Sequence, residues 1–211
     1  MAPRRIGALT SKTRSILLNA AESLMRESGY AAVTSRRLAA KAGLKPQLVH
    51  YYFRTMDDLF LALFRRVAAD FAQRQTAILK AREPLRALWD LTSDPKGVVL
   101  TYEFVALANH RKAIRAEIAE VGDRLRQGQA KILAHCLGDA AIGATRWSSV
   151  FSAVLLDSLA RNLALESALG VSVGHEAARV AIGRFIREVD RSLRKKSKRR
   201  RSVRQTRRRG Q

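Results

Sequence analysis

The stretch Val33–Leu59, VTSRRLAAKAGLKPQLVHYYFRTMDDL, decides the fold. It reads as a short helix, a glycine-centred turn, a second short helix and the start of a longer third. Thr34 has the chemistry of an N-cap, with a hydroxyl able to accept from an unpaired N–H of the first turn. Val33 and Leu38 fall at the N′ and N4 positions of a hydrophobic staple. Leu38, Ala39 and Ala42 share one helical face. Gly43 suits a left-handed helix end, and Leu44 pins the turn that follows. Pro46 fits the first position of a new helix, where an N–H would have no partner. Leu48, Val49, Tyr52 and Phe53 supply that helix's apolar side, which leaves Lys45, Gln47, His50 and Tyr51 pointing elsewhere. Thr55 with Asp58 has capping-box spacing and opens the next helix. Two short helices across a three- or four-residue glycine turn form a helix-turn-helix, whose second helix can enter a DNA major groove.

Four local patterns occur in order: ILLNAAESLMRESGYAAVT, SRRLAAKAGL, KPQLVHYYF and RTMDDLF. With them the chain resembles, over about residues 12–65, the N-terminal DNA-binding domain of the TetR family of bacterial one-component repressors. The resemblance implies an all-α protein: a three-helix helix-turn-helix domain followed by a helical ligand-binding and dimerisation domain. It places Lys45, Pro46, Gln47 and His50 where groove contacts are made. Lysine donates to guanine, glutamine pairs bidentately with adenine, and histidine donates or accepts. Alternatively, His50 is a satisfied structural histidine and Lys45 a solvated charge. Phosphate contacts are expected from Thr34, Arg36, Arg37, Tyr51 and Tyr52, with backbone N–H groups at helix starts. Tyr51 and Tyr52 cannot both face outward, so Tyr52 is expected to pack partly while its hydroxyl reaches a phosphate. Two positions depart from the family pattern: Met56 stands where lysine is common, and Lys45 where a Ser or Thr cap is usual.

Charge supports the nucleic-acid reading. The 211 residues carry 40 basic and 18 acidic side chains, a net charge of +22. Residues 1–60 hold ten basic against four acidic, 61–193 nineteen against fourteen, and 194–211 eleven against none. The middle is near balance and the excess sits at the ends, a distribution suited to polyanions. No apolar run approaches a membrane span, and the basic N-terminus lacks the apolar stretch of a signal peptide. A cytoplasmic, nucleoid-associated address is therefore expected, with no membrane partner. The single Cys136 cannot form an internal disulfide or, alone, a thiolate metal site.

Residues 1–11, with Arg4 and Arg5, read as a disordered basic arm. The DNA-binding domain spans 12–60, a helical effector and dimerisation domain 61–193, and a disordered basic tail 194–211. Helices are expected over about 12–28, 56–80, 84–92, 95–108, 112–137 (ended by Gly138), 144–169 and 174–193. No strand is expected. The tail is predicted to lack structure because like charges repel and nothing in it builds a core. It reads as a solvated appendage, as a nonspecific DNA contact favoured by counterion release, or as a site for RNA or polyphosphate.

In the second domain Trp89, Tyr102, Phe104, Trp147 and Phe151 are aromatic candidates for an effector pocket, with His110, Asn109, Asp157 and Arg161 as polar anchors. Plain core packing is the competing reading for the aromatics, and an ordinary i,i+4 pair for Asp157 and Arg161. The resemblance implies a small-molecule effector and a homodimer on a palindromic operator. The dimer face is expected on the last two helices: Ala153, Leu156, Ala160, Leu163 and Ala164 with Ala178, Ala181, Ile182, Phe185 and Val189. Burial within one subunit is the alternative. Catalytic patterns are thin. His175-Glu176 lacks the second histidine of HExxH, and no phosphate loop or GxSxG elbow is present. No enzymatic activity and no cofactor is expected. The competing class is a nucleoid-type nucleic-acid binder working through basic termini.

Overall fold

The computed structural model describes residues 11–137 and 148–209, with side chains up to Lys195. The expectations for residues 1–10, Gly138 and Trp147 lie outside the described residues. Those described are all-helical. They form α1 (Lys12–Ser28), a single 3₁₀ turn (Tyr30–Ala32), α2 (Ser35–Ala42), α3 (Pro46–Tyr52), α4 (Met56–Ile78), α5 (Pro84–Thr92), α6 (Pro95–His110), α7 (Lys112–Leu137), α8 (Ser149–Ala168) and α9 (His175–Arg209).

The chain divides into two compact units, and the division does not follow a single cut near residue 60. The first unit holds the described residues up to Ala72 together with Lys96–Arg124; the second holds Gln73–Pro95 and the described residues from Leu125 onward. Both α4 and α7 therefore begin in the first unit and end in the second. The sequence boundary missed this because residues 96–124 carry no local sign of the N-terminal helices they pack on.

In the first unit, Leu17, Ala21 and Leu24 of α1 meet Leu38 of α2, Val49 and Phe53 around α3, and Leu59 and Leu63 of α4. Leu100, Phe104 and Leu107 of α6 and Ile114 of α7 complete this core. Phe104 stacks edge-on against Phe64 with ring centroids 5.2 Å apart, a favoured aromatic geometry. Ion pairs hold the rim. Arg66 donates to Asn19 Oδ1 at 2.7 Å and Glu22 Oε2 at 2.8 Å, Arg65 grips Glu117 through two 2.9 Å bonds, and Arg111 pairs with Asp57. Gly29 has φ 78°, and a Cβ there would stand 3.3 Å from the Glu103 carboxylate. That carboxylate accepts from Tyr30 N at 2.7 Å, tying α6 to the turn that leads into α2.

The second unit packs Ile78, Leu85, Leu88, Ile132, Leu133, Ala153 and Ile186. Its organising groups are buried and polar. Asp190 of α9 accepts from Leu85 N and Arg86 N, both at 3.1 Å. It thus caps α5, whose own N-cap Glu83 makes no side-chain cap bond. Burial raises the Asp190 carboxyl above its ordinary range, the two backbone bonds opposing. Gly128 of α7 lies so close to Gln75 of α4 that a Cβ would collide with the amide, and Gln75 Nε2 donates to Leu125 O at 3.1 Å. Burial pushes the Cys136 thiol up to about 12, with the Asp190 carboxylate adding to the shift.

Two expectations need correction. α9 continues to Arg209, where the sequence reading expected disorder from residue 194. No proline or glycine interrupts 194–209, arginine and lysine are good helix formers, and cations at a helix C-terminus suit its dipole. The expected dimer face on α8 also points the wrong way. Ala160 is 0% exposed, and Ala153 and Leu163 are buried with it. Leu156, Ile182, Phe185 and Val189 pack partly against the same core; Ala164 and Ala178 are half-buried and Ala181 is exposed. The exposed apolar residues of α8 are Val150, Phe151, Val154, Leu155 and Leu159. α8 is apolar on nearly every side, so periodicity could not separate its inner from its outer face.

Candidate nucleic-acid interface

The helix-turn-helix is built by the local chemistry its sequence announces. Thr34 Oγ1 accepts from Arg37 N at 3.3 Å, and Val33 and Leu38 are both buried. Gly43 adopts φ 66°, ψ 32°. Leu44 N donates to Ala39 O at 2.9 Å, the six-to-one bond of a Schellman ending. Pro46 is the first residue of α3; its N-cap Lys45 gives no side-chain bond, as a lysine must, having no acceptor. At the start of α4, Thr55 N donates to Asp58 Oδ2 at 3.0 Å and Asp58 N to Thr55 Oγ1 at 3.1 Å, the reciprocal capping box.

This framework separates two faces of α3. Val49 is buried, Leu48 and Tyr52 are half-buried, and Phe53 at the helix exit is buried. Lys45, Pro46, Gln47, His50 and Tyr51 are exposed together, as are Thr34, Arg36 and Arg37 at the start of α2. His50 is thus no core histidine. Arg37 Nη2 reaches Ser28 Oγ at 3.5 Å. The two tyrosines divide their roles. Tyr51 is 44% exposed, while Tyr52 packs against the core and its hydroxyl meets Ser11 Oγ at 2.9 Å. Their rings meet edge-on at 5.0 Å. Sequence reasoning missed the tie to Ser11, and the guanidinium of Arg14 lying 5.0 Å over the Phe53 ring. Both depend on contacts some forty residues apart. Chemically the surface offers donors, one ambivalent imidazole and a phenol, with no exposed carboxylate on α2 or α3.

The pocket candidates do not share one unit. Phe104 is core of the first unit, Tyr102 there is half-buried, and His110 and Asn109 are exposed. In the second unit Trp89 packs partly on the core and Phe151 is 48% exposed. Asp157 is 2% exposed. It pairs with Arg161 at 2.9 Å, the expected i,i+4 contact, and also with Arg126 of α7 at 2.8 Å. Gln129 Nε2 donates to it at 3.3 Å. The link to α7 had no signal in sequence. His175 is buried against the end of α8, with Nε2 2.8 Å from Glu166 Oε2 and Nδ1 3.2 Å from Ser167 Oγ. That bond, with Asn162 assisting, lowers the Glu166 carboxyl from its ordinary range. It is a latch between α8 and α9. Among the described residues no three His, Cys, Asp or Glu side chains gather as a metal cluster, and no helix is long and apolar enough to cross a membrane.

Comparison with known proteins bears on this geometry. Residues 17–63 match the sequence pattern of bacterial regulatory proteins of the tetR family. The chain is 29% identical over 122 residues to the HTH-type transcriptional regulator BetI of Rhizobium meliloti (strain 1021), a match covering 54% of this chain and 60% of BetI. The fold resembles that of a transcriptional regulator from Saccharomonospora viridis solved with choline (TM-score 0.67, 20% identity, 88% of this chain and 95% of that one). It also resembles that of a TetR transcription regulator from Haloarcula marismortui ATCC 43049 (TM-score 0.62, 16% identity, 87% and 95%). The matched segment covers α2, the Gly43 turn and α3, where the exposed polar edge lies, so residues 17–63 carry the tetR-family DNA-binding pattern.

Proposed function

We propose that the protein is a homodimeric transcriptional repressor that binds a palindromic operator and releases it when a small molecule occupies its helical domain. One observation carries this reading: the polar edge of α3 is exposed on a helix-turn-helix whose apolar edge is buried. Gln47 and Lys45 read base edges and His50 lies beside them. Thr34, Arg36, Arg37, Tyr51 and Tyr52 position the domain on phosphates. The Tyr52 hydroxyl is partly committed to Ser11, so Tyr51 is the stronger phosphate contact of the pair. The second copy is held by the exposed apolar residues of α8 named above and by Val180 and Ala181 of α9. These replace the inward-facing set, and two such helix pairs can form a four-helix bundle. The reading places the protein in the cytoplasm, on DNA, and gives it no catalytic role.

Effector control requires a ligand that prefers the DNA-incompetent state, with a coupling on the order of 1–3 kcal/mol. Because α4 and α7 each belong to both units, they are the elements that carry it. Trp89 and Phe151 are the aromatic candidates left in the second unit. The buried carboxylate of Asp157 is already paired with two guanidiniums, so it is not a vacant counter-charge for a cation such as the choline of the S. viridis protein. Genome-wide footprinting with the purified protein tests the reading: a two-fold symmetric motif supports it, and binding without a motif contradicts it.

A further inference from the structure

The end of α9 carries an inference that α3 does not. Residues 194–211, RKKSKRRRSVRQTRRRGQ, hold eight arginines, three lysines and no carboxylate, and α9 runs through them to Arg209. The root of this segment is fixed in the second unit: Asp190 caps α5, and Arg194 Nη1 lies 3.1 Å from Glu83 Oε1. Beyond Leu193 the one apolar residue is Val203. The segment therefore has no apolar stripe to enter a bilayer interface or to pack in a partner helix's groove. What remains is dense positive charge. At about 1.5 Å per residue, residues 194–209 extend roughly 24 Å, with one cation per about 2 Å. Duplex DNA presents one phosphate per about 1.7 Å of axis. Arg194/Lys198, Lys195/Arg199, Lys196/Arg200, Arg200/Arg204 and Arg204/Arg208 are like charges at i,i+4, a repulsive spacing that a polyanion alongside relieves. Arginine's planar fork further suits phosphate oxygens.

We infer that the end of α9 is a second DNA contact, separate from the helix-turn-helix, which holds duplex DNA by its phosphates whatever the base sequence. It rests on charge and helix geometry, not on the operator reading. The test compares the full chain with one ending at Lys195, which keeps the Arg194–Glu83 pair and loses nine cations. A second variant changes Arg199, Arg200, Arg201, Arg207 and Arg208 to Gln, in case the shortened chain folds poorly. Binding to a random-sequence 30-base-pair duplex is followed by anisotropy across a potassium chloride series. The expected result is a loss of at least about tenfold at low salt, with the slope of log affinity against log salt falling by about three or more, at roughly 0.9 per phosphate contact. Selection of bound sequences with the full chain, run in parallel, reads base preference on its own, so failure of the operator reading shows separately. Unchanged affinity and slope in the folded variants would overturn the inference. So would a loss of binding to single-stranded RNA or phosphatidylserine vesicles with duplex binding intact.

Discussion

The α2–α3 hairpin and the α8–α9 pair are built by opposite means. In the hairpin each structural decision is made by a residue next to the place it controls: Thr34 caps α2, Gly43 ends it, Pro46 starts α3, and Thr55 with Asp58 starts α4. In the second unit the decisions come from far along the chain. α5 is capped by Asp190, just over a hundred residues away, and the inward face of α8 is marked by Asp157 reaching Arg126 and Gln129 of α7. The first kind of structure is legible in sequence and the second is not. A helix apolar all round needs a tertiary partner to say which side is inside.

The largest test of that contrast is a pair of neighbouring substitutions on α8. Ala160→Glu puts an unpaired carboxylate into a position 0% exposed and should cost more than about 4 kcal/mol, enough to unfold the protomer. Leu159→Glu, one residue away and 37% exposed, should change protomer stability by no more than about 0.5 kcal/mol while shifting the protein from dimer to monomer in sedimentation velocity. Equal damage from both would mean that the facing of α8 is misassigned. Asp190→Ala comes next. It strands two backbone N–H groups at the start of α5, at a cost of about 1–3 kcal/mol read as a lower denaturant midpoint. Adding Glu83→Ser, which places a local cap at that helix start, should recover part of the loss. Gly43→Ala is smallest. The left-handed turn has open space for a Cβ, so the penalty is conformational alone, about 1 kcal/mol, and should appear in thermal unfolding with little change in dimerisation.

Several helix limits could be read in advance, because α1, α5 and α6 are bounded by Gly29, Pro84 and Pro95. The candidate DNA-binding face could be read for the same reason: Lys45, Gln47 and His50 are what remains when Leu48, Val49 and Phe53 take the inside. Three things could not. Tyr52 spends its hydroxyl on Ser11, a contact across 41 positions. Residues 96–124 pack with the N-terminal helices, although nothing local in them says so. The basic end of α9 is helical although its like charges repel, because repulsion is only a few tenths of a kcal/mol per pair and is opposed by the helix propensity of arginine and lysine and by the anchor that Asp190 and Glu83 give the helix before it.

The central claim is that α3 reads bases, twice per particle. Selection of bound sequences from a random duplex library, with wild type and Gln47→Ala in parallel, tests it most directly. The account predicts a two-fold symmetric motif for the wild type, and for Gln47→Ala a loss of preference at one position in each half-site, about 1–3 kcal/mol per bidentate contact, with the rest intact. A motif without symmetry, or a Gln47→Ala motif identical to that of the wild type, would contradict it.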